Sequence, residues 1–309
     1  MLLQGECFCK LESVFSPNCG TSNVLQPVID DQIFGPLRLR LKDIERSVED
    51  LKLKKSPGTD GITPKMLKEL PHSALRIILF LFNAILRLGF FPLSWKKSEI
   101  VMIPKPGKDP TQVKSYRPIS LLSILSKMFE SVLIKKIMPH IHTNSIIPDH
   151  QFGFRKSHSP IEQVHRIVHR IGKAFENKEY CSALFIDISQ AFDKVWHDGL
   201  LYKICDLLPS NTHKLLKSYL ADRYFEVRSN GIFSSPKKIN AGVPQGSLLG
   251  PLLYIIYTAD MPTNEFTFTS TFADDTALVS IHKSDTVASV QLQSHVHDLE
   301  KKDGWKNGE

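Results

Sequence analysis

The stretch FTFTSTFADDTALVSI (266–281) decides the fold. Apolar and polar side chains alternate on both sides of Ala273-Asp274-Asp275, so the spacing predicts a β-hairpin with two carboxylates near its tip. Taken alone, an Asp-Asp pair at such a tip is an ordinary turn former. A second strand end changes that reading: CSALFID (181–187) is another short apolar run, and it ends in Asp187. Carboxylates gathered at strand ends repel one another unless a cation sits between them. An oxygen-only donor set favours Mg²⁺, which keeps waters and substrate phosphates in its shell. A pair of such ions serves in-line nucleotidyl transfer, one at the attacking hydroxyl and one at the leaving group.

Outward from the hairpin, the chain alternates helices and strands. Leu41, Ile44, Val48 and Leu51 recur at three and four, one face of a helix that the loop KSPGTDG (55–61) stops. Residues 75–88 and 121–138 read as mostly apolar helices packed inside. Between them EIVMIPKPGKDPTQVKSYRPISLL (99–122) reads as a short strand followed by a Pro-, Gly- and Lys-rich loop. Residues 160–176 form a helix with Ile161, Val164, Ile167, Val168 and Ile171 on one face and His165, Arg166, His169 and Arg170 nearby. Segments 197–208 and 211–221 look helical, and a helix is expected at about 246–258. YFEVRS (224–229) and PKKINAGV (236–243) are expected to make a hairpin around Asn230-Gly231.

At 309 residues, with 42% hydrophobic and 23% charged residues, the chain can bury a sizeable core, which excludes disorder as its main state. The net charge of +7 is unevenly spread: residues 94–178 carry 15 Lys/Arg against 6 Asp/Glu, whereas 260–309 carry 4 against 9. One part is therefore suited to phosphates while another concentrates carboxylates. Cys7, Cys9, Cys19, Cys181 and Cys205 are odd in number and read as reduced thiols. His165 and His169 lack both the intervening glutamate of a zinc helix and a third ligand. Neither a signal peptide nor a membrane span is expected, so the expected location is intracellular, nuclear or cytoplasmic.

Six ordered blocks then carry a resemblance: KSPGTDGI (55–62), IPKPGKD with SYRPISLL (103–122), HQFGFRKSHS (150–159), FIDISQAFDKVWHDGLLYK (185–203), AGVPQGSLLGPLLY (241–254) and FADDTAL (272–278). Together they resemble the reverse transcriptases of non-LTR, LINE-type retrotransposons, close to the jockey-like group. The resemblance implies an α+β right-hand polymerase, with fingers and an antiparallel palm sheet carrying packed helices. It implies an N-terminal extension and the start of the fingers over 1–85, and a reverse transcriptase domain over 86–309. Asp187 and Asp274 match the two metal-binding aspartates, with Asp275 completing the catalytic cluster, and two Mg²⁺ ions are implied, with Mn²⁺ as a substitute.

Phe192 matches the steric gate against a ribose 2′-hydroxyl, although ordinary core packing is the other reading of a lone Phe. Gly242, Pro244, Gln245 and Gly246 match the block that shapes the floor under the incoming base pair. Lys105 and Arg117 match basic residues that grip the triphosphate, where Arg can hold phosphate oxygens bidentately. Arg155 and Lys156, within QFGFRKS, are expected to touch the template or primer backbone, where contacts are sequence-independent and salt-sensitive. The implied partners are an RNA template, a DNA primer and dNTPs, with no membrane and the oligomeric state open. The chain stops at KKDGWKNGE, so a thumb is expected to be missing. Two alternatives stay open: a truncated element remnant that binds nucleic acid without polymerising, and an RNA-dependent RNA polymerase, which Phe192 and the ADD box disfavour.

Overall fold

The computed structural model describes residues 37–112, 115–188, 190–229 and 231–301. Cys7, Cys9, Cys19, Asn230 and Trp305 lie outside them. In chain order the elements are α1 (Leu41–Glu49), α2 (Pro64–Lys68), α3 (His72–Leu88), β1 (Lys97–Pro104), β2 (Tyr116–Leu121), α4 (Ile124–Thr143), α5 (Pro160–Glu176), β3 (Tyr180–Ile186), α6 (His197–Leu207), α7 (Ser210–Leu220), β4 (Arg223–Ser229), β5 (Ile232–Phe233), β6 (Lys237–Ile239), α8 (Leu249–Tyr257), β7 (Thr267–Phe272), β8 (Asp275–His282) and α9 (Asp285–Lys301). They fall into two compact units, Met1–Asn144 with Phe192–Gly250, and Ser145–Ala191 with Pro251–Glu309. None of the helices among the described residues is long and apolar enough to cross a membrane.

The first unit holds a mixed sheet in the order β2-β1-β4-β5, with β6 also pairing β4. β1 runs parallel to β4, and the other pairs are antiparallel. β2 lies in what the sequence presents as loop, because Pro118 breaks the strand signal. As an edge strand, β2 tolerates a proline, which sits opposite Met102. The expected hairpin is present in a modified form: β4 pairs first with β5 and further back with β6.

Packed aromatics make the core of this unit: Phe82, Phe91, Trp95, Phe129 and Tyr219 meet edge-on or tilted, with ring centroids 4.9 to 6.2 Å apart. α3 ends at Gly89, whose φ of 62° supplies the left-handed cap that a helix C-terminus favours. This helix is less internal than its composition suggests. Leu75, Ile78, Phe82, Ile85 and Leu86 are buried, but Ile77 and Phe80 on the opposite side are exposed.

The second unit is built on the three-stranded antiparallel sheet β3-β8-β7. A helix lies against each face, although Phe185 of β3 remains exposed. Ser182 of β3 and Ser280 of β8 hydrogen-bond Ser289 and Gln291 of α9, and Thr267 of β7 bonds His295. Phe268, the next residue along β7, points to the other face and lies under Arg166 and Arg170 of α5. α5 opens with Pro160 at its first turn and a reciprocal capping box between Ser159 and Glu162. Its apolar face is partly turned outward: Ile161, Val164 and Val168 are exposed and Ile167 and Ile171 half-buried, while Gln163 and Ala174 are buried.

Candidate active site

The β-hairpin predicted around Ala273-Asp274-Asp275 is present, with Phe272 opposite Asp275 across the turn. In the neighbouring ladder the last pair is Ile186 with Thr276, so Asp187 follows β3 at the same end of the sheet as Asp275. All three predicted acids are thus brought to one edge of one sheet. Burial lifts the pKa of Asp274 above the ordinary carboxylate range, and the charges of Asp275 and Asp187 push it further the same way. The phenol of Tyr254, buried in α8, is likewise pushed up by burial and by Asp274.

This is the electrostatic condition that a cation relieves. Hard oxygen donors fit Mg²⁺, which is bound through one or two carboxylates together with substrate phosphates. Among the described residues no group of three or more His, Cys, Asp or Glu side chains is placed to hold a metal ion.

The turn that carries Asp274 is held from outside the hairpin. Ala273 sits at φ 59°, a conformation that costs a non-glycine residue about 1–2 kcal/mol. Gln151 grips both its peptide groups: the Ala273 amide donates to Oε1 at 2.9 Å, and Nε2 donates to the Ala273 carbonyl at 3.1 Å. The Gly153 amide donates to the same Oε1 at 2.7 Å. Residues 150–152 extend the grip as a strand-like pairing with Thr271, through its amide to the His150 carbonyl and the Phe152 amide to its carbonyl. Gln163 of α5 closes the knot by donating to the carbonyls of His150 and Thr271 at 2.8 and 2.9 Å. Only glycine fits at 153, because a Cβ there would stand 2.2 Å from the Ala273 nitrogen.

In the first unit, the block 241–250 folds back on 192–197. The amides of Gly242 and Val243 donate to the carbonyls of Val195 and Phe192, each at 2.8 Å. Gly242 at φ 86° lies so close to Asp193 that a Cβ would meet its carbonyl oxygen at 2.5 Å. Gln245 Nε2 donates to both carboxylate oxygens of Asp193, and burial raises that carboxyl to about 6. His197 Nε2 meets the Gly242 carbonyl at 2.7 Å. Gly246 (φ 118°) passes the Ser120 carbonyl, and the Gln245 carbonyl accepts the Ser120 amide at 2.8 Å. The start of α8 is capped by Glu130, fully buried in α4, which accepts the amides of Leu248 and Leu249 at 2.7 and 3.0 Å.

Arg117 pairs with Ile103 across the β1–β2 ladder, and Lys105 lies two residues further along, so the strand period puts both on one side of it. Arg117 is exposed and Phe192 half-buried. Arg155 braces its own loop, donating to the carbonyls of Pro148 and Gln151 at 3.2 and 3.1 Å, while Lys156 is exposed. Sequence reasoning missed Gln151, Gly153, Asp193, His197, Gln163 and Glu130. The first four lie inside quoted blocks. Glu130, a lone acid in an otherwise apolar helix, carried the readable signal of a buried charge with a partner.

The family model described as "Reverse transcriptase (RNA-dependent DNA polymerase)" matches residues 103–304. The chain is 44% identical over 96% of its length to the "Probable RNA-directed DNA polymerase from transposon BS" of Drosophila melanogaster, of which it covers 34%. It is 40% identical over 93% of its length to the "RNA-directed DNA polymerase from mobile element jockey" of the same species, covering 33% of that protein. It thus spans about a third of the length of these relatives. The family match begins inside β1 and takes in the acidic hairpin, the 150–153 clamp and the glycine–glutamine turn without a break, so the chain belongs to the reverse transcriptase family.

Proposed function

We propose that this chain is the polymerase core of a jockey-like non-LTR retrotransposon, an RNA-directed DNA polymerase that adds dNTPs to a DNA primer on an RNA template. The observation that carries this reading is the gathering of Asp187, Asp274 and Asp275 at one edge of the β3-β8-β7 sheet. That sheet, with α5 and α9, is read as the palm, and the β1–β2 hairpin as part of the fingers. Asp187 and Asp274 would hold two Mg²⁺ ions, with Mn²⁺ as a substitute, and Asp275 completes the acidic edge. Bound there, the metal would supply charge neutralisation to the phosphates and acidity to the attacking hydroxyl.

In the reaction the primer 3′-oxygen bonds the α-phosphorus of the dNTP, the bond to pyrophosphate breaks, and the hydroxyl proton is released. The clamp through Gln151 and Gly153 fixes the carboxylate of Asp274 before substrate arrives, which is the form in which positioning lowers a barrier. Arg117 offers a planar fork and Lys105 a point charge to the triphosphate. The ring of Phe192 excludes a 2′-hydroxyl by shape, since rejecting one added group needs only a wall. Gln245 and Gly246 form the floor below the incoming base, and Arg155 and Lys156 meet the nucleic-acid backbone.

The test is incorporation of dTTP on poly(rA)–oligo(dT) with Mg²⁺, parent beside Asp274→Asn. The parent is expected to incorporate, a chelator to abolish the signal and Mn²⁺ to restore it. The variant is expected to lose about 10³-fold, some 4 kcal/mol of transition-state stabilisation. Its melting temperature should be no lower than the parent's, because the substitution removes a half-buried charge facing two others. Incorporation by a folded Asp274→Asn variant at the parent's rate would overturn the assignment.

A further inference from the structure

The second unit also holds two arginines in a setting the polymerase reading does not use. α5 turns Ile161 and Val168 outward, 75% and 60% exposed, and sets half-buried Arg166 and exposed Arg170 over Phe268 of the sheet. The guanidinium of Arg170 stands 4.2 Å from the centre of the Phe268 ring; that of Arg166 stands 5.2 Å from the same ring and 4.6 Å from Phe152. One aromatic floor thus carries two like charges. Burial lowers the pKa of Arg166 and Arg170 lowers it further, while the charge of Asp149 raises it.

Among the described residues neither arginine ion-pairs with a carboxylate. Arg166 donates to Gln163 Oε1 at 2.9 Å, and Arg170 makes no hydrogen bond. Asp149 and Glu265 line the same cavity as Arg166, Arg170, Phe268 and Val279 without reaching either guanidinium; its volume is about 470 Å³. Ligand cavities run roughly 300–1,000 Å³, so this one has room for a nucleotide. It lies at the start of β7, whereas Asp274 lies beyond the end of that strand.

We propose that this cavity is a second nucleic-acid site, which seats one nucleotide of a single strand with its phosphodiester on the Arg166–Arg170 pair. The demand for an anion comes from two guanidiniums set over one aromatic floor, neither of them in an ion pair with a carboxylate among the described residues. The choice of nucleic acid as its source rests on the polymerase reading. Asp149 and Glu265 oppose the bound anion, which keeps the affinity modest and makes the opposing residues testable in the reverse direction.

The experiment is fluorescence anisotropy of fluorescein-labelled 12-mers of oligo(U) and oligo(dT) with the full chain, without dNTP, across a salt series. Arg170→Gln is expected to weaken binding about tenfold and to reduce the slope of log K against log salt by about one. Glu265→Gln is expected to tighten it. Lys301→Gln, which removes one exposed cation elsewhere in the unit, is expected to change affinity less than twofold. Loss with one probe only would assign the site to that strand type. Unchanged binding by Arg170→Gln, or an equal loss in Lys301→Gln, would overturn the proposal. Because binding needs no dNTP, the difference between the parent and Arg170→Gln reads the cavity even if the parent incorporates nothing.

Discussion

At the scale of single residues, Asp193 is the acid whose environment has the clearest consequence. It is 4% exposed, receives two hydrogen bonds from Gln245, and is still carried by burial from 3.8 to about 6. The folded protein therefore binds a proton that the unfolded chain has already released between those pH values. Stability from this group is fully present below about pH 4 and is lost as pH rises towards 6. The loss is on the order of 3 kcal/mol, from two units at about 1.4 kcal/mol each. Asp193→Asn cannot titrate. Urea unfolding of parent and variant at pH 4 to 7 is expected to show the variant gaining relative to the parent up to about pH 6 and holding constant above it. Parallel curves would refute the linkage.

At the scale of elements, the acidic hairpin owes its geometry to a segment remote in sequence. β7 and β8 are joined by a turn with a left-handed Ala273, and the 150–153 loop supplies the bonds that keep it so. Gly153→Ala places a Cβ 2.2 Å from the Ala273 nitrogen and 2.7 Å from its Cα. Backbone must move to admit it, at about 1–3 kcal/mol. A displacement of this size at the base of Asp274 is expected to lower kcat of dTTP incorporation about 10²-fold with a smaller change in KM. Steady-state kinetics on the poly(rA)–oligo(dT) substrate checks it, and an unchanged kcat would show that the clamp does not govern the catalytic edge.

At the scale of the whole molecule, each unit has its own core. In the first unit Phe129 has no exposed surface, and its ring lies 5.1, 6.1 and 6.2 Å from those of Phe82, Phe91 and Trp95. Phe129→Ala empties the middle of that cluster and is expected to cost about 3–5 kcal/mol. The near-UV signal of Trp95 should change with it. Thermal melting followed by tryptophan fluorescence measures this; a shift of less than a few degrees would mean that the neighbours collapse into the space.

Local pattern was enough for most of the elements and for placing the three aspartates at strand ends. Strict alternation around 273–275, the apolar run that ends in Asp187 and the 3.6-residue period of 160–176 are properties of neighbouring residues, and each became the expected strand or helix at nearly the expected bounds. Where a local signal conflicted with its surroundings, the surroundings won: Pro118 hides an edge strand, and the apolar faces of α3 and α5 are partly turned outward. Only the tertiary structure could decide that Gln151 grips the peptide groups of Ala273, that Gly153 must lack a Cβ, that Asp193 is buried under Gln245, and that Glu130 caps α8. The physical reason is range: periodicity registers which face a residue lies on, but hydrogen bonds and van der Waals contacts act over a few ångströms between atoms that the chain brings together from far apart in sequence.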